Sequence, residues 1–594
     1  MNASRVNRPL VLAAFGAAFM AGASAFAQGG PVDLSPPVRT NNPTTPQTAP
    51  RPESLATPTS TFGAVGGAVQ AETLGEVNPD VAGVLGEDAG GFGQAMWLGT
   101  DRLVIENLVA QLPVTSASPA MRDLMRRLLL TGAEVPAGGL PGSLISLRAG
   151  QLSAMGEFAG VNALLGVVPG YAGNPDLLRV EVDARLLTGD VARACQVAHA
   201  NIEDQESVYW QKAFIFCQAV EGLGEQAQLG ISLLQELGVE DDVFFRLVSA
   251  IANQDKPPVI ESLADPTPLH LALARVAKAK LPADVISSNR PGVLRAIAIS
   301  PNASPELRLE AAERAETSGA LPVDALRQLY ASISFTEQDL KNPLTEAARR
   351  SGPMSRALLY RATLSQTVPA AQAEALTQAL ALARQGGRYA STARAFLPQL
   401  TRVSPSADLA WFASEAIRVF LTTGRLDGAR DWFSVLNGAA EHDSKLAAEL
   451  EALMPVARLS GYDGAGDWTL EQLPAWWQTV KATEGARDKA AILAVTFNAL
   501  GDLVPDQMWA ELTQGPSHHA LLAPHPSLWF LLDGAAMRAR VGETVLLSLV
   551  ILGDGGPARA DPIVLHRVLK ALVNIGLHDE ARAMALEAVV EAGL

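Results

Sequence analysis

The chain has 594 residues and a formal net charge of −16. Hydrophobic residues make up 48% of it, which is enough for a large core and excludes a chain that is disordered throughout. The two cysteines exclude a disulfide-dense scaffold and a four-cysteine zinc site, and the acidic balance argues against a nucleic-acid-binding surface.

The start of the chain has the pattern of a secretory signal peptide over residues 1–27. Arg5 and Arg8 give a positive beginning, residues 10–20 are small and apolar, and an A-x-A cleavage signature ends at Ala27. No cysteine follows that would carry a lipid anchor, and no later apolar run is long enough to predict a membrane span. We therefore expect a soluble protein exported to the periplasm of a Gram-negative bacterium.

The rest of the chain divides by composition into three parts. Residues 28–62 contain eight prolines, with polar residues between them, and predict a disordered tether. Residues 63–95 are rich in glycine but have apolar positions, which predicts a partly ordered segment. From 96 to 594 the pattern is helical throughout, with possible subdivisions near 255–300 and 455–470.

Helix starts are marked by a serine followed by a proline. Serine caps the first turn with its hydroxyl, and proline fits the first helical position because its missing N–H is not needed there. The three starts predicted in this way are at Ser118-Pro119, Ser304-Pro305 and Ser404-Pro405. Since alternating β-branched runs are nearly absent, the body is expected to be all-α and built from antiparallel helix hairpins.

A short pattern recurs four times: an apolar run, a glycine, four residues and an alanine. We expect the glycine to form a tight turn and the alanine to lie where the next helix crosses its partner closely. The pairs are Gly189 with Ala194, Gly222 with Ala227, Gly424 with Ala429, and Gly576 with Ala581. This pattern resembles the tetratricopeptide-like helical repeats, and the chain is also similar to bacterial periplasmic helical-repeat proteins. The resemblance implies an irregular α-solenoid that is tetratricopeptide-like in places.

The two cysteines, Cys195 and Cys217, are predicted to form a disulfide. They fall on consecutive helices, nine residues before and thirteen residues after a turn near Asp204. At the rise of an α-helix the two are offset by about 6 Å along an antiparallel pair, which a small shift of the turn would remove. Two cysteines so placed usually pair in an oxidising compartment, and two buried thiols are the alternative. Because there is no Cys-x-x-Cys motif, we do not expect thiol–disulfide catalysis.

Tryptophan is concentrated in the last third of the chain, where seven of the nine lie after residue 410. Trp476 and Trp477 follow a glycine-rich loop at 460–467, and we consider them candidates for lining a partner-binding groove. The alternative is that the rings fill gaps between helices, and this is what we expect of Trp411 and Trp432.

Residues with metal-binding or catalytic chemistry give weak signals. His518, His519 and His525 are close enough in sequence to suggest zinc, but a solvated proline-rich turn explains them better, so we expect no metal and no cofactor. The chain has no nucleophile elbow and no phosphate-binding or dinucleotide-binding loop in a suitable context, so no residue is assigned a catalytic role.

These patterns together predict a non-catalytic, exported scaffold or adaptor that binds another envelope protein or a peptide on its helical surface. Stacked hairpins provide a large surface without requiring a catalytic pocket. Two alternatives are open at this point. One is a cell-wall-acting enzyme with an unrecognised site, and the other is a structural subunit of an envelope motility or secretion machine.

Overall fold

The structure is a computed structural model that describes residues 78–201, 207–514 and 524–594. The chain divides into two units, Met1–Thr73 and Leu74–Leu594, and all the described residues belong to the second.

Two predicted segments, the signal peptide (1–27) and the tether (28–62), lie outside the described residues. Of the glycine-rich segment, the structure describes only residues 78–95. The subdivisions of the helical body near 255–300 and 455–470 stay predictions.

The described residues form 29 α-helices and no strand, so the predicted all-α fold is confirmed. Their only bridge of β type pairs Leu85 with Thr131. In chain order the helices are α1 (Arg102–Val109), α2 (Pro119–Leu130), α3 (Ser143–Ala154), α4 (Phe158–Leu165), α5 (Pro175–Thr188), α6 (Val191–Asn201), α7 (Val208–Val220), α8 (Gly224–Glu236), α9 (Asp242–Ala252), α10 (Pro268–Val276), α11 (Pro291–Ala298), α12 (Pro305–Thr317), α13 (Val323–Ser332), α14 (Glu337–Lys341), α15 (Pro343–Arg349), α16 (Pro353–Ser365), α17 (Pro369–Gln385), α18 (Tyr389–Leu400), α19 (Ala410–Thr422), α20 (Leu426–Ala440), α21 (Ser444–Ser460), α22 (Leu473–Val480), α23 (Ala486–Ala499), α24 (Asp506–Thr513), α25 (Pro526–Met537), α26 (Val541–Leu552), α27 (Gly556–Arg559), α28 (Pro562–Asn574) and α29 (His578–Glu591).

Two of the three predicted serine–proline helix starts are confirmed. The hydroxyl oxygens of Ser118 and Ser304 accept hydrogen bonds from backbone N–H groups in the first turns of α2 and α12. The prediction at Ser404 is wrong, because this residue lies in a loop and α19 begins only at Ala410. Val403, next to it, is buried in the core and anchors the loop there.

The four glycine–alanine pairs behave as predicted. Each glycine has a positive φ, between 68° and 86°, which is the left-handed region that glycine enters without a steric penalty. Each paired alanine is buried, and its small side chain lets the second helix approach the first. The turns lie between α5 and α6, α7 and α8, α19 and α20, and α28 and α29.

Helices pack mainly as sequential hairpins, but several contacts join distant parts of the chain. For example, α5 packs on α10, α21 on α29, and α23 on α28. The first helices also contact the last ones: α1 packs on α26, and α2 packs on both α26 and α29. Since buried apolar side chains from Met96 to Leu594 belong to one contiguous cluster, the described body has one continuous core. Whether its hairpins follow a solenoid path stays a prediction.

The contact between the first and last helices is made by hydrogen bonds as well as by apolar packing. Glu587 on α29 accepts a hydrogen bond from the backbone N–H of Ala120 at 2.9 Å and another from the Ser118 hydroxyl. This carboxylate therefore lies at the positive N-terminus of α2, where a negative charge is favourable. Nearby, Arg127 Nη1 lies 2.5 Å from Glu580 Oε1.

The segment at 78–95 contacts α3 and α1 through a buried carboxylate. Asp80 accepts hydrogen bonds from the backbone N–H groups of Gly142 at 3.1 Å and Ile145 at 2.8 Å. These groups are at the N-terminus of α3, whose own preceding residue, Gly142, has no side chain to cap it. Arg102 Nη2 lies 2.9 Å from the same carboxylate and balances its charge.

A buried charge network joins α12, α13 and α16. The Glu313 carboxylate accepts hydrogen bonds from Arg356 Nε at 2.8 Å and from the Tyr330 hydroxyl at 2.6 Å. All three side chains are almost completely inaccessible to solvent. Because the charges are paired and hydrogen-bonded, this burial is compatible with a stable core.

Candidate functional site

The predicted disulfide links α6 to α7. The sulfur atoms of Cys195 and Cys217 lie 2.07 Å apart and their Cα atoms 5.5 Å apart, so the pairing predicted from the sequence is the pairing in the structure. Both residues are buried, and the bond attaches α7 to the preceding hairpin. The predicted turn position, near Asp204, lies outside the described residues.

The proposed role of Trp476 and Trp477 in an open groove is corrected by their burial. Trp476 is 0% exposed and Trp477 is 4% exposed. Together with Leu473 and Val480 they form the core-facing stripe of α22, at the i, i+3, i+4, i+7 spacing of an amphipathic helix. Only an edge of Trp477 reaches a cleft of about 400 Å³ beside Arg487.

The other aromatic residues divide differently from the prediction. Trp432 is buried in the core, as expected, and packs edge-to-face on Phe412 at 5.5 Å between ring centroids. Trp411 is 45% exposed, so the expectation that it fills a gap between helices is wrong.

The histidine cluster gives no metal site within the described part of the chain. His525 precedes α25, and its Nδ1 accepts a hydrogen bond from the backbone N–H of Ser527 at 3.3 Å, in the manner of a helix cap. His518 and His519 lie outside the described residues. No group of three or more His, Cys, Asp or Glu side chains in the described ranges could hold a metal ion.

A groove between α7 and α8 is the candidate functional site. It has a volume of about 720 Å³, and its lining is mainly apolar. Phe214 and Ile215 contribute from α7, and Leu229, Leu233 and Leu237 contribute from α8 and its C-terminal end. A cavity of this size and character is in the range of known ligand and peptide sites.

The groove is open because α8 carries two apolar rows, and its neighbours bury only one of them. Ala227, Ile231 and Leu234 form the first row and are buried against the body. The second row is exposed: Leu229 is 63%, Leu233 52% and Leu237 69% accessible. These three leucines are spaced by four residues, so they lie on one face of the helix over about 12 Å.

The floor of the groove depends on a close approach of the two helices. A Cβ atom at Gly230 would lie 2.5 Å from Ile215 Cγ1, so only glycine allows this separation of α7 and α8. Gln218 and Gln226 form a hydrogen bond of 3.3 Å across the helix pair. The floor is thus rigidly packed, while the leucine row above it contacts solvent.

The helix pair that forms the groove is acidic, together with the turns that flank it. Residues 207–245 contain six acidic side chains and one basic side chain, Lys212. The amine of Lys212 lies 2.7 Å from Asp241 Oδ2 and is therefore neutralised locally. Glu225 and Glu236, near the two ends of α8, are both exposed. At the α7 end of the turn, Glu221 contacts His199 Nε2 at 3.0 Å.

A second feature of chemical interest lies between α5 and α7. The Tyr209 hydroxyl donates a hydrogen bond to Asp183 Oδ1 at 2.8 Å, and the Arg179 guanidinium lies 4.5 Å above the Tyr209 ring. Burial raises the pKa of Asp183 to about 6, against the opposing effects of the hydrogen bond and of the two nearby arginines, Arg179 and Arg290. A carboxyl group with this pKa can exchange a proton near neutral pH.

The sequence analysis did not find the leucine row of α8. The sequence did contain a signal for it, because Leu229, Leu233 and Leu237 recur every four residues. They form a second apolar row beside the one that packs against the core. Among the described residues, no helix combines the length and the apolar character needed to cross a bilayer. Comparisons of the chain with protein-family models, with curated proteins and with solved structures find no match, so the groove is characterised by its own geometry alone.

Proposed function

We propose that the protein is an exported, non-catalytic helical-repeat scaffold that binds another envelope protein, or a peptide segment of one, in the α7–α8 groove. The observation that supports the proposal is the row of Leu229, Leu233 and Leu237, which stays exposed beside an apolar groove. Contiguous apolar surface on a folded protein is characteristic of an interaction site, whereas single exposed leucines are common and carry no such meaning.

The proposal of export rests on two features. The N-terminal segment has the pattern of a signal peptide, and the paired cysteines are typical of an oxidising compartment. Both agree with a binding partner in the bacterial envelope. Fractionation of cells, followed by mass determination of the secreted form, tests this part: we expect removal of residues 1–27, and retention of the full chain in the cytoplasm would contradict it.

The binding role is tested by photo-crosslinking in living cells. A photoreactive amino acid replaces Leu233 in one strain and Leu503 in the matched control strain, because Leu503 is 89% exposed but does not line the groove. We expect one dominant protein adduct from position 233 that is missing from position 503. The same adducts at both positions, or none from a folded protein, would overturn the proposal.

A second candidate function, a cell-wall-acting enzyme, is favoured by the raised pKa of Asp183 beside Tyr209. In this case the full chain should release soluble fragments from purified cell wall, and Asp183→Asn should abolish the release. If neither protein releases fragments, this candidate is rejected. The scaffold proposal is independent of that result.

A further inference from the structure

We infer that the occupant of the α7–α8 groove is an amphipathic helix of a partner protein, with a basic residue at each end of its apolar stripe. This inference rests on the proposed function, because it specifies the partner for the same groove.

The arrangement of charges on α8 carries the inference. Glu225 lies four residues before Leu229, and Glu236 lies seven residues after it, so both carboxylates are on the face of the leucine row. The two glutamates are eleven residues apart, which is about 16 Å along the helix. The face thus has an apolar centre with a negative charge at each end.

No basic side chain of α8 balances these charges, since the helix contains no lysine or arginine. Within the described ranges, neither Glu225 nor Glu236 takes part in an ion pair. A partner with lysine or arginine at matching positions would therefore gain attraction without having to displace an existing partner.

The same charges argue against two other occupants. In a symmetric dimer of this chain, the carboxylates of each α8 would approach those of the other copy, and like charges at close distance are unfavourable. An anionic lipid surface would be repelled for the same reason. A basic segment, in contrast, is attracted by the carboxylates of Glu225 and Glu236.

The shape of the site favours a helix as the bound form. Leu229, Leu233 and Leu237 present side chains at one per helical turn, and the groove between two packed helices accepts the ridge of a third. Recognition of an amphipathic helix in an apolar groove uses anchors at i, i+3, i+4 and i+7, which fits a row of this length. An extended strand would need a row of unpaired backbone groups, and α8 uses its own within the helix.

The test uses two synthetic, fluorescently labelled helical peptides with identical leucine stripes of three turns. One carries lysines eleven residues apart at the ends of the stripe, and the other carries glutamates at those positions. Fluorescence anisotropy with the full chain is expected to show binding of the lysine peptide at least about tenfold tighter than that of the glutamate peptide. The preference should shrink as salt is added, because the attraction is screened.

Variants of the chain connect the preference to the groove. The double variant E225Q/E236Q is expected to weaken the lysine peptide about three- to tenfold, and E225K/E236K should reverse the preference. Leu233→Ala should weaken both peptides, whereas the control Leu503→Ala should leave both unchanged. Circular dichroism verifies that each variant is folded, which is expected because the substituted residues are exposed.

The outcomes separate the inference from the proposed function. If the two peptides bind equally, or if the chain prefers anionic vesicles or its own second copy, the basic-helix inference is overturned. If neither peptide binds while crosslinking at Leu233 captures a partner, the scaffold proposal stands and only the inference fails. If both experiments are negative, the groove is not a docking site and both fail.

Discussion

Two regions of the protein differ in which side chains they bury: one buries charged groups, and the other exposes apolar ones. At α12, the charged Glu313 is buried together with Arg356 and Tyr330, and its carboxylate receives hydrogen bonds from both. On α8, the apolar Leu229 and Leu233 face solvent beside an open groove. The first arrangement costs the free energy of removing the charged groups from water. The second forgoes the hydrophobic stabilisation of burial, which is about 1.5–3 kcal/mol for each leucine.

The difference shows what each region contributes. The charges at α12 are satisfied within the chain, so this region is complete as a part of the fold. The exposed leucines of α8 are not covered by other described side chains, which is the reason to assign the binding role to this helix. Four measurements test this difference between the two regions.

The largest effect is expected from Glu313→Ala. This change leaves the Arg356 guanidinium buried without its partner, and breaking a buried pair in this way costs about 3–5 kcal/mol. The free energy of unfolding, measured by urea denaturation, reports the loss. The matched control is Glu337→Ala, which breaks the exposed pair with Lys341 and should change stability by at most about 0.5 kcal/mol. Equal effects of the two substitutions would show that Glu313 is not a structural centre.

The second measurement compares adjacent leucines of α8. Leu234→Ala removes a buried side chain and should cost about 2–5 kcal/mol, because a cavity is left in the core. Leu233→Ala removes an exposed side chain and should change the free energy of unfolding by at most about 0.5 kcal/mol. Thermal denaturation of the two variants checks this. A large loss of stability in Leu233→Ala would mean that the exposed row contributes to folding rather than to binding.

The third measurement concerns the attachment of α7, which forms one wall of the groove. The double variant C195S/C217S opens a loop with a sequence separation of 22 residues, for which we expect a loss of about 3 kcal/mol. A reducing agent should lower the urea midpoint of the natural chain and have no effect on the variant. If it leaves the natural chain unchanged, the bond does not stabilise this region in solution.

The smallest effect is expected at Asp183, and it depends on pH. Burial raises the pKa of Asp183 to about 6 in the folded chain, so folding favours its protonated form. The contribution of Asp183 to stability is then fully present below about pH 3.8 and is lost as the pH rises through 6. Relative to the natural chain, Asp183→Asn should therefore gain about 1–3 kcal/mol above pH 6 and show no gain near pH 3.5.

Unfolding experiments from pH 3.5 to 8 follow this difference. The matched control is Asp324→Asn, since Asp324 is exposed and pairs with Arg327 at the surface. A pH-independent difference at position 183 would show that the carboxyl group is solvated in the folded state, and it would also weaken the enzyme alternative.

Local sequence predicted a large part of the fold because the relevant physics is local. The turn at Gly189 follows from the backbone freedom of glycine, and the start of α12 follows from the capping of its first turn by Ser304. The cysteine pairing could be predicted from the sequence because Cys195 and Cys217 are on consecutive helices. The failure at Ser404 marks the limit, since the same Ser-Pro signal there lies in a loop after the buried Val403 and starts no helix.

The candidate site was not predicted, and its misassignment has one cause. Trp476 belongs to the single apolar stripe of α22 and Leu233 to the second apolar row of α8, and periodicity alone does not say which apolar row neighbouring helices cover. The structure buries Trp476 and exposes Leu233, and this reverses the expectation that tryptophan would line the groove. Residue type was a weaker guide than the burial of each row by its neighbours.

The helical character of the body, the glycine turns and the cysteine pair follow from the sequence, because each depends on residues close together in the chain. Three features follow from the tertiary packing instead: α2 contacts α29 through Glu587, Glu313 pairs with Arg356, and α8 has one exposed leucine row. The contact between α2 and α29 joins helices more than 400 residues apart, and the other two features depend on which helices pack around α12 and α8. The burial of a helix face is a property of its neighbours and not of the face itself.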